Sequence, residues 1–425
     1  MKTVPFWLDD FPRPADLPHS PLPEEVDVAV IGGGYTGLSA ARILARGGAR
    51  VAVLEQGEIG SGASGINGGQ VSAGVKLSIQ EVFKKYGPEL GREIWEGSLQ
   101  AVKFLEQTLI EEKIECDYTP SGILVTAYRP AHYKRMAHEV EWLAQKLDFH
   151  DVELIPPDKM GSVVGSNVFF GGMLEKVGGG LHPAKYVFGL AKAAVRAGVC
   201  LCEQTKVLHL DRSGRRPQFL IRTGRGELKA GKVLLATNGY TGSLAPEFQR
   251  RIFAVGSYMI TTEPLPPELQ QELCPHNRVM YDTKWFLNYF RLTPDGRMSM
   301  GGRNNLSPNL NLTESAHNLA RTMVHIFPQL RNVAITHTWA GRLGITFNLM
   351  PYIGQMDGIY HAFGYAGHGV ALSGYLGKEV AELILGQATS TPFARIPPET
   401  SVFYRGNAWF LPVVAAYYRF LDAVS

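Results

Sequence analysis

The sequence predicts an α/β fold, α+β overall, in which a Rossmann-like βαβ unit is followed by a second domain on a mixed or antiparallel β-sheet. The βαβ unit is predicted over residues 26–55, where two apolar β-branched runs flank a glycine-rich turn and a helical pattern. The second sheet is predicted from short segments at 257–262, 286–292 and 297–302, in which polar and apolar side chains partly alternate. Such alternation is typical of a half-exposed antiparallel sheet, which could serve as a platform for a substrate.

The other elements follow from local patterns along the chain. The first 25 residues hold six prolines and predict an extended arm, because proline removes hydrogen-bond donors and fixes φ. Apolar residues recur at helical spacing in three stretches, which predict helices at 80–107, 130–147 and 370–385. Short apolar runs between turn residues predict further strands at 206–210, 218–222 and 231–236.

Composition and charge limit the classes of function. The chain has 425 residues, 45% hydrophobic and 19% charged, which is enough for two or three domains with sizeable cores. Its net charge is +3 without long Lys or Arg blocks, so neither a nucleic-acid groove nor a polybasic membrane anchor is expected. The four cysteines lack disulfide or zinc spacing, so no bound metal is expected. Because no apolar run could span a bilayer and no secretory signal is evident, we expect a cytoplasmic protein that binds small molecules.

The glycines after the first strand form a G-x-G-x-x-G fingerprint. Gly32 permits a tight turn, Gly34 lets a pyrophosphate approach the backbone, and Gly37 lets helix and strand pack closely. Glu55 ends the second strand, where its carboxylate can accept from ribose hydroxyls and argues against a 2′-phosphate. The alternative is a plain glycine-rich turn, but the strand, the helix and the acid together favour a dinucleotide that contains ADP.

A second glycine-rich loop follows at once. Residues 59–70 hold five glycines and five small or amide residues, far more than a packing loop needs. Exposed backbone amides of this kind could surround the ribityl chain and ring of a flavin, whereas a nicotinamide site has no evident use for them. The loop therefore favours FAD over NAD.

Several motifs then occur in a fixed order over about residues 24–390. They are the glycines of 32–37 with Glu55, the loop 60–70, 234–241, 289–291 before 301–303, 339–341 before 351–354, and 364–374. In this order they resemble the D-amino-acid-oxidase-like (DAO) family of FAD oxidoreductases. The resemblance implies an arm at 1–25, a discontinuous FAD domain at 26–85, 150–248 and 335–390, a substrate domain at 86–149 and 249–334, and an apolar tail at 391–425.

The resemblance also implies a reaction. A neutral amine passes its α-hydrogen to flavin N5 as hydride, the imine is hydrolysed, and O2 reoxidises the flavin to give H2O2. The implied substrate is an amine derived from a polyamine, such as γ-glutamylputrescine. Two alternatives remain: an amine or amino-acid dehydrogenase that passes electrons to a quinone or carrier, and a non-catalytic flavin-binding partner subunit.

The cofactor site is assigned from the two glycine segments and from the resemblance. The residues expected to contact FAD are Gly32, Gly34, Gly37, Glu55, Gln56, Gly62, Ala63, Ser64, Asn67, Gly68, Gly69, Gln70, Val207, Asn238, Gly341, Gly367, His368, Gly369 and Val370. A helix that begins near Val370 would direct its positive end at the flavin. Cysteine is absent from 339–370 and histidine from 56–70, where the family attaches flavin covalently, so non-covalent FAD is expected.

The residues expected to contact the substrate are His368, Tyr289, Arg291, Arg303 and Tyr258. Tyr289 and Arg291 lie two apart on a strand and share a face, which would suit a carboxylate or amide. Lys284 could activate oxygen, yet family members that use a lysine carry it near 298–301, where this chain has none.

Two further features bear on the substrate and on partners. Leu343 stands where the family's amino-acid oxidases place a carboxylate-binding arginine, and Arg342 comes one position early, which favours amines over D-amino acids. The residues from 408 to 418 are all apolar, aromatic or proline. This tail is expected to pack on the protein's own surface, with a subunit contact or shallow membrane association as alternatives.

Overall fold

The computed structural model describes residues 1–212, 218–303, 306, 307, 309, 311–401 and 404–424. Its helices are α1 Phe6–Asp10, α2 Tyr35–Arg46, α3 Ala63–Ile66, α4 Ile79–Tyr86, α5 Pro88–Glu112, α6 Pro130–Leu147, α7 Pro183–Arg196, α8 Pro246–Gln249, α9 Pro267–Leu273, α10 Leu312–Ile326, α11 Gly369–Leu385 and α12 Leu411–Val424. Its strands are β1 Glu25–Ile31, β2 Val51–Leu54, β3 Gln70–Val71, β4 Ile123–Thr126, β5 Val152–Ile155, β6 Gly172–Glu175, β7 Gly179–Gly180, β8 Cys200–Cys202, β9 Val207–Arg212, β10 Phe219–Thr223, β11 Gly226–Leu235, β12 Ile252–Pro264, β13 Val279–Asp282, β14 Asn288–Leu292, β15 Arg297–Gly302, β16 Ile335–Thr346, β17 Tyr352–Met356 and β18 Ile359–Phe363.

One sheet carries the predicted βαβ unit. Its strand order is β17-β18-β11-β1-β2-β8, and β1 pairs in parallel with both β2 and β11. The helix α2 connects β1 to β2, as the sequence predicts. From Val28 to Ile31 the central strand is buried on both faces, which explains the continuous apolar run there.

The second sheet is mixed, as predicted, with the order β16-β12-β15-β14-β13-β4-β6-β5. Its β13 and β4 pair in parallel, whereas the other pairs are antiparallel. The predicted domain boundaries at residues 150 and 335 are wrong, because β5, β6 and β16 all belong to this sheet. Their partners are β4 and β12, which lie far away in the sequence, so no local pattern assigns these strands to one sheet.

Both faces of the second sheet are covered, so the prediction of a half-exposed platform is also wrong. On one face Phe290 and Met300 form a core with Leu319 of α10. On the other face Met259 and Trp339 join the core that includes the first sheet. The sheet is thus packed against other elements on both faces, although β16 also contributes residues 342–344 to the lining of a cavity.

The predicted extended arm contains a short helix, α1, and is more ordered than its prolines suggest. Trp7 of α1 is completely buried. The Lys2 amide donates to the Thr336 carbonyl at 2.7 Å and the Lys2 carbonyl accepts from the Thr338 amide at 2.9 Å. The arm therefore lies along β16, at the edge of the second sheet.

The predicted helices are present with one interruption. The stretch 80–107 is divided at Gly87, whose φ of 82° ends α4 before α5 begins. A buried carboxylate then joins three helices, because Glu112 of α5 accepts hydrogen bonds from Arg42 of α2 and Arg196 of α7 and forms an ion pair with Arg46. This cluster fixes α2, whose N-terminus carries the fingerprint glycines.

The apolar tail forms α12, and one of its faces packs on the protein. Leu411 and Ala415 join a small core with Val255 and Ile345. Near the end of the helix the Asp422 carboxylate accepts from the backbone amides of residues 285 and 286, at 2.7 and 2.9 Å. The large apolar side chains left exposed in this segment are Trp409, Val413, Tyr417, Phe420 and Val424. Among the described residues no helix has both the length and the apolarity to cross a bilayer.

Candidate active site

A cavity of about 790 Å³ lies where β1 and β2 end and where α2 and α11 begin. Its walls come from both glycine segments, from the end of β11 and from the stretch before α11. The predicted cofactor residues that line it are Gly32, Gly34, Glu55, Gln56, Gly62, Ala63, Ser64, Asn67, Val207, Asn238, Gly367, Gly369 and Val370. Folding therefore brings most of the predicted cofactor residues to one site.

The fingerprint turn has the geometry that its glycines predict. Gly32 has a φ of 108°, and a Cβ there would lie 2.7 Å from the Ala236 carbonyl oxygen. Gly34 is the N-cap residue of α2 and has no side chain to accept hydrogen bonds from the first turn. The backbone amides of that turn can therefore donate to an anionic ligand. Gly37 does not line the cavity; a Cβ there would collide with the Gly32 carbonyl, so its role is close packing.

Glu55 is held at the wall of this cavity by the backbone. Its carboxylate accepts from the Gly33 amide at 2.8 Å and from the Gly57 amide at 3.0 Å. These two bonds connect the first glycine turn to the second glycine loop. They also orient the carboxylate, whose remaining lone pairs can accept from ribose hydroxyls.

Two side chains hold the second glycine loop in shape. Ser64 accepts from the Tyr35 amide at 3.0 Å, and Asn67 donates to the Ala63 and Ser64 carbonyls, each at 3.0 Å. The Asn67 side-chain oxygen also accepts from the Gly69 amide at 2.8 Å. Because these polar side chains serve the loop itself, the loop offers backbone groups to a cofactor. This fits the ribityl chain and ring of FAD.

Besides Gly37 and His368, four predicted cofactor residues lie outside the lining of the cavity, and the structure does not place them in contact with it. They are Gly68, Gly69, Gln70 and Gly341. A Cβ on Gly68 would lie 2.9 Å from the Tyr289 ring, and the Gln70 side chain donates to the Met280 carbonyl at 3.1 Å. This end of the loop docks on the second sheet instead of facing the cavity.

His368 lies at the N-terminus of α11 between two cavities. Its neighbours Gly367 and Gly369 line the larger cavity, whereas His368 lines a second one of about 280 Å³. Its Nδ1 is buried and has no hydrogen-bond partner among the described residues. Burial, with the nearby charges of Lys76 and Arg303, lowers the pKa of His368 to about 3. The ring is therefore neutral at physiological pH and can form a hydrogen bond with a ligand in the smaller cavity.

Tyr289 and Arg291 face the first domain, as their shared strand face predicts, but they bind protein groups there. The Tyr289 hydroxyl forms a hydrogen bond with Ser257 at 2.9 Å. The Arg291 guanidinium donates to the Gly69 carbonyl at 3.0 Å and to the Leu181 carbonyl at 2.8 Å. Arg291 is 7% exposed, so the prediction that it contacts substrate is not supported. It is a positioning residue for the glycine loop.

Replacing Arg291 with methionine is expected to destabilise the protein by about 1–3 kcal/mol, because two buried carbonyls lose a charged donor. Flavin retention should fall with stability, while the preference between amines with and without a distal carboxylate should stay the same. Chemical denaturation, flavin content and steady-state kinetics measure these effects. Arg222→Met is the control, since that side chain is about half exposed. A selectivity change at unchanged stability would contradict the positioning role.

Tyr258 lies on the wrong face for its predicted role. Tyr258 of β12 is opposite Gly302 of β15, and Gly302 is opposite Asn288 of β14, so these three residues share one face of the sheet. Tyr289 follows Asn288 along β14 and therefore points to the other face. Tyr258 is fully buried in the core beside α10, and its hydroxyl donates to the Ser307 carbonyl at 2.9 Å. The prediction that it contacts substrate is therefore wrong.

The other basic residues singled out in the sequence are distributed over the site. Arg303 lies close enough to His368 for its charge to lower that histidine's pKa, and its contact with substrate stays a prediction. Lys284 packs its ammonium on the Tyr128 ring, 3.6 Å from the centroid. Arg342 and Leu343 both line the larger cavity.

The second cavity contains ionisable residues that the sequence analysis missed. Besides His368 its lining includes Lys76, Glu139, Glu175 and Tyr281. The sequence could have indicated two of them. Glu139 lies three residues after the buried Met136 on a helix, and Glu175 lies two residues after the buried Met173 on a strand, so each acid is on the buried face of its element. Lys76 follows no such pattern.

Comparisons with known proteins agree with this geometry. The sequence model of the family described as "FAD dependent oxidoreductase" (DAO) matches residues 27–383. The gamma-glutamylputrescine oxidoreductase of Escherichia coli (strain K12) is 32% identical over 406 residues, which cover 94% of this chain and 93% of that protein. A probable oxidoreductase OrdL of Haemophilus influenzae is 33% identical over 381 residues, 88% of this chain and 86% of that protein.

A similar fold is found in a solved structure. The glycine oxidase from Geobacillus kaustophilus superposes with a TM-score of 0.76 at 21% identity. The superposition covers 89% of this chain and all of that one. The likeness supports the predicted combination of a Rossmann-like domain with a second, sheet-based domain.

Proposed function

Because the chain belongs to the DAO family of FAD dependent oxidoreductases, we propose that it oxidises a carbon–nitrogen bond of an amine of the γ-glutamylputrescine type. The observation that carries the proposal is that two cavities lie on either side of one turn, since Gly367 and Gly369 line the larger cavity and His368 between them lines the smaller one. The larger one has the glycine cradle and the helix N-termini that FAD needs. The smaller one is a separate space for a small molecule, in contact with the same segment.

The reaction balances with O2 as the acceptor. The amine loses a hydride from carbon and a proton from nitrogen, and water hydrolyses the resulting imine to a carbonyl compound and ammonia or a smaller amine. FAD, when bound, supplies the two-electron acceptor for this oxidation. O2 takes up the electron pair and two protons and leaves as H2O2.

The chain's own residues bind and orient the reactants in this proposal. Glu55 would hold the ribose, the N-terminus of α2 the pyrophosphate, and the N-terminus of α11 the pyrimidine side of the ring. His368 stays neutral at working pH, so it would orient the amine or the ring by a hydrogen bond. Leu343 stands where the amino-acid oxidases that this chain resembles have a carboxylate-binding arginine. This difference supports an amine as the substrate in place of an α-amino acid.

A dehydrogenase that passes electrons to a quinone or another carrier is the second candidate. The exposed apolar face of α12 supports it, since such a face could contact a membrane or a partner protein. A flavin-binding partner subunit without catalysis is the candidate from another class.

Anaerobic mixing with free and γ-glutamylated polyamines, D-amino acids and N-methyl amino acids tests these candidates. We expect the flavin absorbance to bleach with an amine, and to recover quickly with release of H2O2 when air is admitted. Bleaching with slow recovery would instead support the dehydrogenase. A flavin that no compound bleaches would overturn the proposal.

A further inference from the structure

Two carboxylates line the smaller cavity, and neither of them forms an ion pair with a described residue. Glu175 ends β6 and Glu139 comes from the facing helix α6, and both line the cavity. The Tyr281 hydroxyl donates to Glu175 at 3.4 Å. Throughout the described chain, no Lys, Arg or His lies within ion-pair distance of either carboxylate. The two acids thus share a confined space without a positive partner.

This arrangement is unfavourable unless a positive charge is supplied. Burial, and then the charge of Glu139, raises the pKa of Glu175 to about 7. Burial, and then the charge of Glu81, also raises the pKa of Glu139. Like charges close together in a confined space each disfavour the ionised form. A cationic ligand between the two carboxylates would relieve both effects.

The segment near His368 has the opposite charge. Lys76 lines the same cavity, and its ammonium has no hydrogen bond or ion pair to a residue that the structure describes. Burial, and then the positive charge of Arg303, lowers the pKa of Lys76 to about 8. The charges of Lys76 and Arg303 both act on His368, whereas only acidic charges, those of Glu139 and Glu81, act on Glu175 and Glu139. The cavity therefore has a basic region at His368 and an acidic region elsewhere.

We propose that Glu139 and Glu175 bind a second, protonated nitrogen of the substrate, so that the cavity selects a diamine over a monoamine. This inference rests on the proposed amine oxidation and narrows the substrate class to a free diamine, because γ-glutamylputrescine has a neutral amide in place of the second amine and would not use this subsite. The lining between the charged groups includes apolar side chains such as Ile94, Trp95 and Met173, which suit a methylene chain. A volume of about 280 Å³ suits a small, extended molecule.

The polarity of the cavity also orients such a diamine. An amine can lose hydride from its α-carbon only when its nitrogen has a free lone pair, so the reacting nitrogen must be neutral. The positive charges of Lys76 and Arg303 favour the neutral form of an amine beside His368. The carboxylates of Glu139 and Glu175 favour the protonated form of the other nitrogen. Each end of the diamine is thus placed in the protonation state that the reaction requires.

Putrescine and n-pentylamine provide the test, because they have equal numbers of heavy atoms and a methyl group replaces the second nitrogen. We expect the wild-type kcat/KM to be at least about tenfold higher for putrescine. Glu175→Gln and Glu139→Gln should each reduce this ratio about tenfold, mainly by raising the KM for putrescine. A ratio that both variants retain, or a wild-type preference for pentylamine, would overturn the inference.

A binding measurement separates this inference from the proposed function. Calorimetry under anaerobic conditions, on protein whose FAD has been reduced with dithionite, measures putrescine binding without turnover. We expect the Kd to rise about tenfold in Glu175→Gln. Glu153→Gln is the matched control, because Glu153 is a half-exposed acid on the adjacent β5, pairs with Lys176, and does not line the cavity.

The outcomes of the two measurements can be told apart. Diamine binding that depends on Glu175, without any amine oxidation, would overturn the proposed function and support the subsite. Oxidation of both amines with equal efficiency, unaffected by the Glu175 and Glu139 variants, would support the function and overturn the subsite. Flavin content and thermal stability of each variant show whether it is folded.

The pH dependence gives a further prediction. Because the pKa of Glu175 is raised to about 7, putrescine binding should weaken as the pH falls from 8 to 6 and the carboxylate becomes protonated. The diamine itself stays doubly protonated in solution over this range, since alkylammonium groups have pKa values near 10. The other ionisable side chains that line the cavity are Glu139 of α6, Tyr281 of β13, Asp151 before β5, Lys76 and His368. Calorimetry across this range should show a much flatter profile for Glu175→Gln; an unchanged slope would contradict the assignment.

Discussion

Replacing Gly34 with valine is expected to reduce the FAD content of the purified protein at least about tenfold. A Cβ at Gly34 would lie 2.8 Å from Ser64 Oγ, which itself accepts from the Tyr35 amide. The additional methyl groups would fill the space before the N-terminus of α2, where a pyrophosphate would approach the backbone. The φ of Gly34 is −87°, which valine can adopt, so the loss should concern the cofactor more than the fold. Flavin absorbance relative to protein absorbance measures the effect.

Gly224→Val is the control for this experiment. Gly224 lies in the turn between β10 and β11, and a Cβ there would meet no atom within 4 Å. We expect this variant to retain FAD as the wild type does. Full flavin retention in Gly34→Val would contradict the assignment of the fingerprint turn.

Replacing Glu112 with alanine is expected to lower the free energy of unfolding by about 3 kcal/mol. The change would leave the guanidinium of Arg42, which is 2% exposed, without its carboxylate partner. Removing one partner of a buried ion pair typically costs about 3–5 kcal/mol, and the half-exposed Arg46 and Arg196 place this case at the lower end. Urea unfolding measures the change.

The same cluster predicts how stability depends on pH. Burial acts to raise the pKa of Glu112, but the hydrogen bonds from Arg42 and Arg196 outweigh it, and the pKa is lowered from 4.5. A carboxyl group with a lowered pKa stabilises the folded state above its unfolded-state pKa, and this stabilisation is lost as the pH falls below about 4.5. Wild type and Glu112→Ala should therefore converge in stability at acidic pH.

Glu111→Ala is the matched control, because the neighbouring Glu111 is exposed on the same helix. We expect it to change stability by less than about 0.5 kcal/mol. An equal loss in the Glu111 and Glu112 variants would show that helix propensity, and not the buried cluster, accounts for the effect.

Local patterns in the sequence predicted the parts of the site that are formed by local structure. The fingerprint turn, Glu55 and the second glycine loop depend on residues that are close in sequence, and the structure brings them together as expected. The start of α11 is also correct to within one residue.

The errors arose where contacts between distant strands decide the outcome. Tyr258 and Tyr289 both lie on strands of one sheet, but the register of β12 against β15 turns Tyr258 to the opposite face. Arg291 has the expected orientation, yet its guanidinium donates hydrogen bonds to the carbonyls of residues 69 and 181 and not to a ligand. Neither the register of a strand nor the hydrogen-bond partners of its side chains can be predicted from that strand's sequence alone, because both depend on residues elsewhere in the chain.

The pairing of β1 with β11 has a consequence for how the chain folds. These strands are roughly 200 residues apart, so closing the first sheet requires a large loss of chain entropy before the contacts form. The local βαβ unit can form early, but the wall of the cofactor cavity contributed by residues 365–367, 369 and 370 is completed only when the segment that contains α11 has docked. FAD should therefore be captured only after these distant segments have docked, so cofactor supply would act late in folding.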